Sequence, residues 1–262
     1  MKARLGGARL GFDDRGRGEA VVLLHAFPLD RRMWEALALD LAHAARVITL
    51  DFRGLGESEG TATIDEAADD LAALLDHLHV QRAIVCGLSM GGYVALAFSA
   101  RHPARLAGLV LADTRAGEDS PEGKKARDEA IKRVAREGTN AYIEELVPRL
   151  ITGRNANARG LALALAHFQS GVGVAGVLSS LRDRPDRTAA LSEIRVPTTV
   201  IVGAEDTLTP PSEARKMAQA IAGAELVELA GAGHLASLEA PEAFSEAVRG
   251  LLKRVAEGVI TS

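Results

Sequence analysis

The chain has 262 residues, of which 47% are hydrophobic and 25% are charged, a composition typical of a globular protein with a sizeable core. Its formal net charge of −4 excludes a strong general attraction to nucleic acid or to an anionic membrane surface. The single cysteine, Cys86, excludes an intrachain disulfide and argues against a zinc site built from several thiolates.

The N-terminal segment gives no sign of export. Residues 1–14 contain charged residues and glycines where a signal peptide would have an apolar core. No apolar run approaches the roughly 18 residues needed to span a bilayer. We therefore expect a cytoplasmic protein, a monomer or small homo-oligomer, whose partner is a small molecule and neither nucleic acid nor a membrane.

The first 112 residues alternate β-rich runs with amphipathic stretches, the pattern of a mainly parallel sheet flanked by helices. A hairpin is predicted at the start, with strands at 4–5 and 8–12 around Gly6-Gly7. Four nearly continuous apolar runs, as expected of buried parallel strands, follow at 20–25, 46–51, 83–86 and 106–112. Helices are predicted between them at 31–43, 64–78 and 91–101, the second behind a capping box of Thr63 and Glu66.

The rhythm changes after residue 113. Four helices without an intervening strand are predicted at 121–138, 140–146, 158–168 and 173–181. Strands resume at 198–202 and 224–229, with a helix at 212–221 between them and a last helix at 241–255. We therefore predict an α/β fold with a mostly parallel eight-stranded sheet and helices on both faces. Residues 1–114 and 188–262 would form the core, and 115–187 an inserted helical cap.

The pentapeptide Gly87-Leu88-Ser89-Met90-Gly91 follows a predicted strand and precedes a predicted helix. In that context G-x-S-x-G is typical of a tight turn that exposes a nucleophilic serine. The glycines remove side chains that would collide in the turn, and the helix N-terminus places backbone amides beside the reacting centre. Ser89 is therefore the candidate nucleophile.

A serine hydroxyl is a weak nucleophile until a base takes its proton, so a histidine is required. His234 lies in a Gly-rich loop between the last predicted strand and the last predicted helix, and it is the candidate base. The alternative is an ordinary surface histidine. His25 ends a strand and is expected to shape the following loop by hydrogen bonding. The histidines that lie on or beside helices without a partner pattern are His43, His77, His79, His102 and His167.

The histidine needs a carboxylate to orient it, and this carboxylate should follow a strand between Ser89 and His234. Asp206 comes shortly after the strand at 198–202 and is the preferred candidate. Asp113, at the end of the preceding core strand, and Glu205 remain alternatives.

Acyl transfer also requires donors for the oxyanion, usually the amide after the nucleophile and one from the loop after an early strand. Met90 would supply the first amide. Phe27, in the run His25-Ala26-Phe27-Pro28, would supply the second. The alternative is that this run is an ordinary connection between a strand and a helix.

Four segments together resemble the α/β hydrolases of the carboxylesterase and 3-oxoadipate enol-lactonase-like branch. They occur in the family's order at 25–34, 51–58, 87–93 and 231–235. The chain departs from the family pattern at Ala26, where glycine is usual. Ser89 separates it from the similar haloalkane dehalogenases and dienelactone hydrolases, which have aspartate and cysteine there.

The resemblance implies an α/β-hydrolase fold and a carboxylesterase-type serine hydrolase that needs no metal or organic cofactor. Its substrates would be esters of short to medium acyl chain, cleaved through an acyl-enzyme on Ser89. Phe27, Leu88 and Trp34 are the candidate substrate-binding residues. The alanines and leucines of the cap would either line an apolar pocket or pack the cap against the core.

Two other functions stay open. An enol-lactonase or C–C bond hydrolase would use the same three residues on a carboxylated ring metabolite and would need a buried cation. The candidate cations are Arg53, Arg115, Arg182 and Arg184. A protein that keeps the fold for ligand binding and signalling is the third possibility.

Overall fold

The computed structural model describes residues 1–258, and within them eight strands form one sheet. The strands are β1 Lys2–Leu5, β2 Ala8–Gly16, β3 Ala20–Leu24, β4 Arg46–Leu50, β5 Ala83–Leu88, β6 Leu106–Ala112, β7 Thr198–Gly203 and β8 Glu225–Leu229. They are ordered β1-β2-β4-β3-β5-β6-β7-β8. β2 pairs antiparallel with β1 and β4, and all other pairs are parallel. The predicted mostly parallel eight-stranded sheet is confirmed.

Ten α-helices occur in the described part of the chain. They are α1 Glu35–Leu41, α2 Ile64–His77, α3 Met90–Arg101, α4 Pro121–Glu137, α5 Thr139–Leu150, α6 Ala156–His167, α7 Gly171–Arg182, α8 Pro211–Ala220, α9 Ala236–Glu239 and α10 Pro241–Ala256. Single 3-10 turns occur at Arg31–Trp34, Pro103–Arg105 and Ala189–Glu193. The predicted capping box is present, because Thr63 accepts from the Glu66 amide and Glu66 accepts from the Thr63 amide.

The central strands are buried on both faces, which explains their unbroken apolar sequence. In β3, Val22 and Leu24 belong to the apolar layer that contains α2, α3 and α8. Val21 and Leu23 point the opposite way, into the layer that contains α1 and α10. Burying each such side chain contributes about 1.5–3 kcal/mol, so both helical layers stabilise the sheet.

Some boundaries differ from the prediction. The helix expected at 31–43 is divided into a 3-10 turn and α1, since the Asp30 carboxylate accepts from the Arg32 amide and starts the first turn early. α5 runs to Leu150 and contains Pro148, which lies beyond the predicted end at 146. α9 was not predicted; at four residues it is too short for a periodic pattern.

Helices α4 to α7 all lie between β6 and β7, with α4 packed on α7 and α5 packed on α6. Gly173 of α7 meets the loop after β4 so closely that an added Cβ would lie 1.7 Å from the Gly54 carbonyl oxygen. The division into core and cap stays a prediction, and residues 259–262 of that core lie outside the described residues. Among residues 1–258, no single helix is long and apolar enough to cross a bilayer, and α6 with α7 reach the required length only across a 104° bend.

Candidate active site

Ser89 lies at the sharp turn between β5 and α3. Its backbone has φ +55° and ψ −111°, a conformation that non-glycine residues rarely adopt and that costs about 1–3 kcal/mol. The Ser89 amide donates to the Ala112 carbonyl oxygen at 2.9 Å, which holds the turn against β6. At Gly91, a Cβ would lie 2.1 Å from the Leu24 carbonyl oxygen, so only glycine allows α3 to begin this close to β3. The fold therefore presents the Ser89 hydroxyl above the ends of the central strands.

His234 lies in the loop between β8 and α9 and is 4% exposed. Its Nε2 atom is 2.8 Å from Ser89 Oγ, a distance at which the hydroxyl donates to the ring. Its Nδ1 atom is 2.8 Å from Asp206 Oδ2, to which it donates. The structure thus brings the three predicted residues into one hydrogen-bonded chain, with the serine at the exposed end.

Asp206 follows β7 and is 3% exposed. Its Oδ1 atom accepts from the amides of Leu208 and Thr209 at 2.8 and 3.1 Å, and its Oδ2 atom accepts from the Thr209 hydroxyl at 2.6 Å. Burial opposes ionisation, but the hydrogen bond and charge of His234 and the bonds from Thr209 hold the pKa of the Asp206 carboxyl below its ordinary value. Asp206 is therefore an anion fixed in orientation. Sequence reasoning missed Thr209, although a hydroxyl three residues after an aspartate is a usual turn partner.

The two alternative acids lie elsewhere. Asp113 is fully buried, and its carboxylate accepts from the Gly203 amide at 2.7 Å and the Ala236 amide at 3.2 Å, without a hydrogen bond to His234. Burial first, and then the neighbouring Asp206, raise the pKa of Asp113. Glu205 pairs with Arg154 at the surface.

The loop after β3 contains the predicted second donor. The amides of Phe27 and Met90 have no hydrogen-bond acceptor within residues 1–258, and both residues line the cavity at Ser89. His25 accepts from the Phe52 amide through Nε2 at 3.0 Å and donates to the Ala26 carbonyl through Nδ1 at 3.0 Å. Burial lowers the pKa of His25. A neutral His25 therefore shapes this loop, as predicted.

Two adjoining cavities lie at and beside Ser89. The inner one, about 70 Å³, contains Ser89 and His234 and is lined by apolar side chains that include Tyr93 and Leu181. The outer one, about 460 Å³, lies between α4 and α5. Both cavities are lined by Arg115, Arg127, Leu146 and Leu208. The shared lining places the outer cavity directly beside the inner one.

Only one of the three predicted substrate-binding side chains lines these cavities. Phe27 lines the inner cavity, whereas Leu88 and Trp34 line neither cavity and are fully buried in the apolar layer that contains α1 and α10. Trp34 packs against Phe244 of α10, with ring centroids 5.9 Å apart. Leu88, the last residue of β5, enters the same apolar layer as Cys86, because alternate side chains of a strand point to the same face.

Arginines surround one buried carboxylate beside the cavities. Asp119 accepts from Arg115 at 2.5 Å, Arg127 at 3.2 Å and Arg184 at 2.9 Å. The guanidinium of Arg184 also lies 4.2 Å from the ring centroid of Tyr93. Three positive charges around one negative charge leave an excess of positive charge beside the two cavities. Arg127 was not predicted, because on a charged helix such as α4 it has no distinguishing sequence signal.

The other candidate cations lie away from the cavities. Arg53 pairs with Asp70, and Arg182 pairs with Asp128 and Asp183. In the described part of the chain, no group of three or more His, Cys, Asp or Glu side chains is arranged to hold a metal ion.

Comparison with known proteins identifies the family. A family model described as the alpha/beta hydrolase family matches residues 21–247. The structure is similar to a thermophilic esterase from Thermogutta terrifontis solved with malate bound (40% identity, TM-score 0.93, 97% of this chain and 98% of that one). It is also similar to the enol-lactonase from Burkholderia xenovorans (31% identity, TM-score 0.90, 97% and 100%). The 3-oxoadipate enol-lactonase 1 of Acinetobacter baylyi is 28% identical over 244 residues, covering 90% of this chain and 89% of the relative. The chain belongs to the α/β hydrolase family, in its enol-lactonase-like branch.

Proposed function

We propose that this enzyme hydrolyses carboxylic esters through an acyl-enzyme on Ser89, with His234 as general base and Asp206 as the orienting carboxylate. The observation that supports it is the continuous chain of hydrogen bonds, 2.8 Å from Ser89 Oγ to His234 Nε2 and 2.8 Å from His234 Nδ1 to Asp206. The ionised Asp206 keeps the proton on Nδ1, so Nε2 is free to accept the serine proton.

In the proposed reaction, Ser89 Oγ attacks the ester carbonyl carbon while His234 Nε2 takes its proton. The electron pair of the C=O bond moves to oxygen, where the amides of Phe27 and Met90 donate to it. When the C=O bond re-forms, the alcohol leaves with the proton from Nε2. Water then attacks the acyl-enzyme, gives its proton to Nε2, and releases the acid as the proton returns to Ser89.

The sizes of the two cavities suggest which part of an ester each would hold. The inner cavity of about 70 Å³ suits a short acyl group, and the outer cavity of about 460 Å³ would hold the larger remainder. Helices α4 and α5 supply most of the outer wall, so in this proposal residues 115–187 form a cap that sets substrate size.

The test is turnover of 4-nitrophenyl esters of increasing acyl length by Ser89→Ala. We expect kcat to fall on the order of 10⁶-fold, since the serine and histidine act as a unit. Ser99→Ala is the matched control, because Ser99 lies on the same helix and only donates to the Leu96 carbonyl. Ester turnover by Ser89→Ala equal to that of the wild type would contradict the proposal. Ester turnover that is undetectable in the wild type as well as in Ser89→Ala would favour a ligand-binding protein instead.

A second candidate function is hydrolysis of an ester or lactone that bears a carboxylate. It is favoured by Arg115 and Arg127, which line both cavities around Asp119. Two similar proteins are named as enol-lactonases, and the similar esterase was solved with malate, a dicarboxylate.

The two candidates differ in what Arg127 does. For mono-4-nitrophenyl glutarate, which is anionic, Arg127→Gln should raise KM roughly tenfold, since hydrogen bonds to charged groups contribute about 1.5–3 kcal/mol. For the neutral 4-nitrophenyl butyrate, KM should not change. Arg159→Gln, on the exposed side of α6, is the control. Equal effects on both esters would reject the carboxylate-bearing substrate.

A further inference from the structure

The backbone around His234 is held by groups from outside its own loop. On one side, the Gly233 amide donates to Glu239 Oε1 at 2.8 Å. On the other side, the Leu235 amide donates to the Leu150 carbonyl oxygen at 3.1 Å. The backbone amides of the residues on either side of the histidine are therefore both held by hydrogen bonds, which restricts the position of its ring.

Glu239 connects this loop to the end of α5. Its second oxygen, Oε2, accepts from the Thr152 amide at 2.8 Å and from the Thr152 hydroxyl at 2.5 Å. Thr152 lies two residues after Leu150, the last residue of α5. One carboxylate thus accepts from three donors on two separate segments. Glutamine could not replace it, because one of its two ends would place an NH2 group against a backbone N–H.

The same helix forms a wall of both cavities. Leu146 and Leu150 line the inner cavity, and Tyr142, Leu146 and Arg149 line the outer one. Helix α5 therefore contacts the space for substrate along one side and holds the His234 loop at its C-terminal end. The hydrogen bonds at Glu239 make the wall of the cavity and the histidine loop a single unit.

We propose that Glu239 and Thr152 are positioning residues that keep His234 Nε2 at hydrogen-bonding distance from Ser89. They act through the backbone and touch no reacting atom. The proposal rests on the proposed function, since it assigns His234 the role of base. In this proposal the α4–α7 segment does more than enclose substrate, because Leu150 and Thr152 of that segment help to hold the backbone beside His234.

The test compares Glu239→Gln, Thr152→Val and the double variant in ester turnover. Each single change should lower kcat about tenfold and leave KM within about twofold, because it removes acceptors or donors from partly buried partners. The double variant should be no slower than Glu239→Gln, because both changes break one interaction. The downfield proton resonance of the His234 Nδ1–H···Asp206 bond should broaden or shift in all three. Glu242→Gln, an exposed glutamate on α10, is the matched control.

Two results would overturn the positioning role. One is wild-type kcat and an unchanged downfield resonance in both single variants. The other is a lowered melting temperature with unchanged kcat per folded molecule, which would make the interaction purely structural. If Ser89→Ala stays active, the proposed function fails. If Ser89→Ala is inactive while Glu239→Gln and Thr152→Val match the wild type, only this inference fails.

Discussion

Replacement of Asp206 by asparagine should disable the histidine without moving it. Asp206 Oδ1 faces two backbone N–H groups, from Leu208 and Thr209. The amide oxygen of an asparagine must take that position, because its NH2 group would otherwise oppose both donors. The NH2 group then lies in the place of Oδ2 and donates to His234 Nδ1. The ring is left with its proton on Nε2, facing Ser89, and it cannot accept the serine proton.

The cost of this wrong tautomer is large. We expect Asp206→Asn to lower kcat by about 10⁴-fold, which corresponds to about 5.5 kcal/mol of transition-state stabilisation. Asp113→Asn is the matched comparison, since Asp113 is also a buried carboxylate that accepts two backbone hydrogen bonds. It should lose only the bond to the Ala236 amide, lowering stability by about 1–3 kcal/mol and kcat by less than tenfold.

The assay is steady-state hydrolysis of 4-nitrophenyl acetate, with thermal unfolding measured on the same samples. Folded Asp206→Asn with nearly wild-type kcat would refute the tautomer argument. A larger loss of kcat in Asp113→Asn than in Asp206→Asn would transfer the role of the acid to Asp113.

Three further changes test the packing. Gly173→Ala should lower the free energy of unfolding by about 1–3 kcal/mol, because the new methyl group overlaps the Gly54 carbonyl; an unchanged melting temperature would contradict this contact. Asp119→Asn should lower the free energy of unfolding by about 3–5 kcal/mol at pH 7, because it leaves the buried Arg184 without its carboxylate partner. In the folded protein, burial raises the pKa of the Asp119 carboxyl, but the arginines lower it by more, so the pKa lies below its ordinary value. The stabilisation is therefore present above the unfolded pKa of about 3.9 and is lost as the pH falls through the folded pKa. Stability of the variant should therefore depend less on pH in that range. Burial raises the pKa of the Cys86 thiol, so iodoacetamide should modify it only after unfolding. Rapid labelling of the native protein would contradict the burial of Cys86 in the core.

The sheet was predictable because its signal is local. Strands such as β3 and β6 are buried on both faces, so their sequences are unbroken apolar runs that stand out from the amphipathic helices. Ser89 was predictable for a similar reason, since the turn that exposes it imposes glycines on a short contiguous segment. Where one structural requirement, such as burial on both faces or a tight turn, acts on several consecutive residues, the sequence alone identifies them.

Partners from distant segments were not predictable in this way. Asp206 and Asp113 both follow core strands, and only the packing of the loops shows that Asp206 meets the histidine. Glu239 has no distinguishing sequence signal. Its donors are the backbone amide of Gly233 and the amide and hydroxyl of Thr152, which is 87 residues away in the chain. Trp34 was a candidate substrate-binding residue, but sequence periodicity does not tell which apolar layer a side chain enters, and Trp34 packs against Phe244 instead.

The approach of α3 to β3 at Gly91 has a consequence for the proposed reaction. Met90 begins α3 and Phe27 lies in the loop that follows β3, so the packing of α3 against β3 affects the distance between the two amides. A side chain at position 91 would push the helix away from the strand and separate the two amides, while Ser89 could still donate to His234. In the proposed reaction, the spacing of these two main-chain segments would therefore control how well the charged intermediate is stabilised.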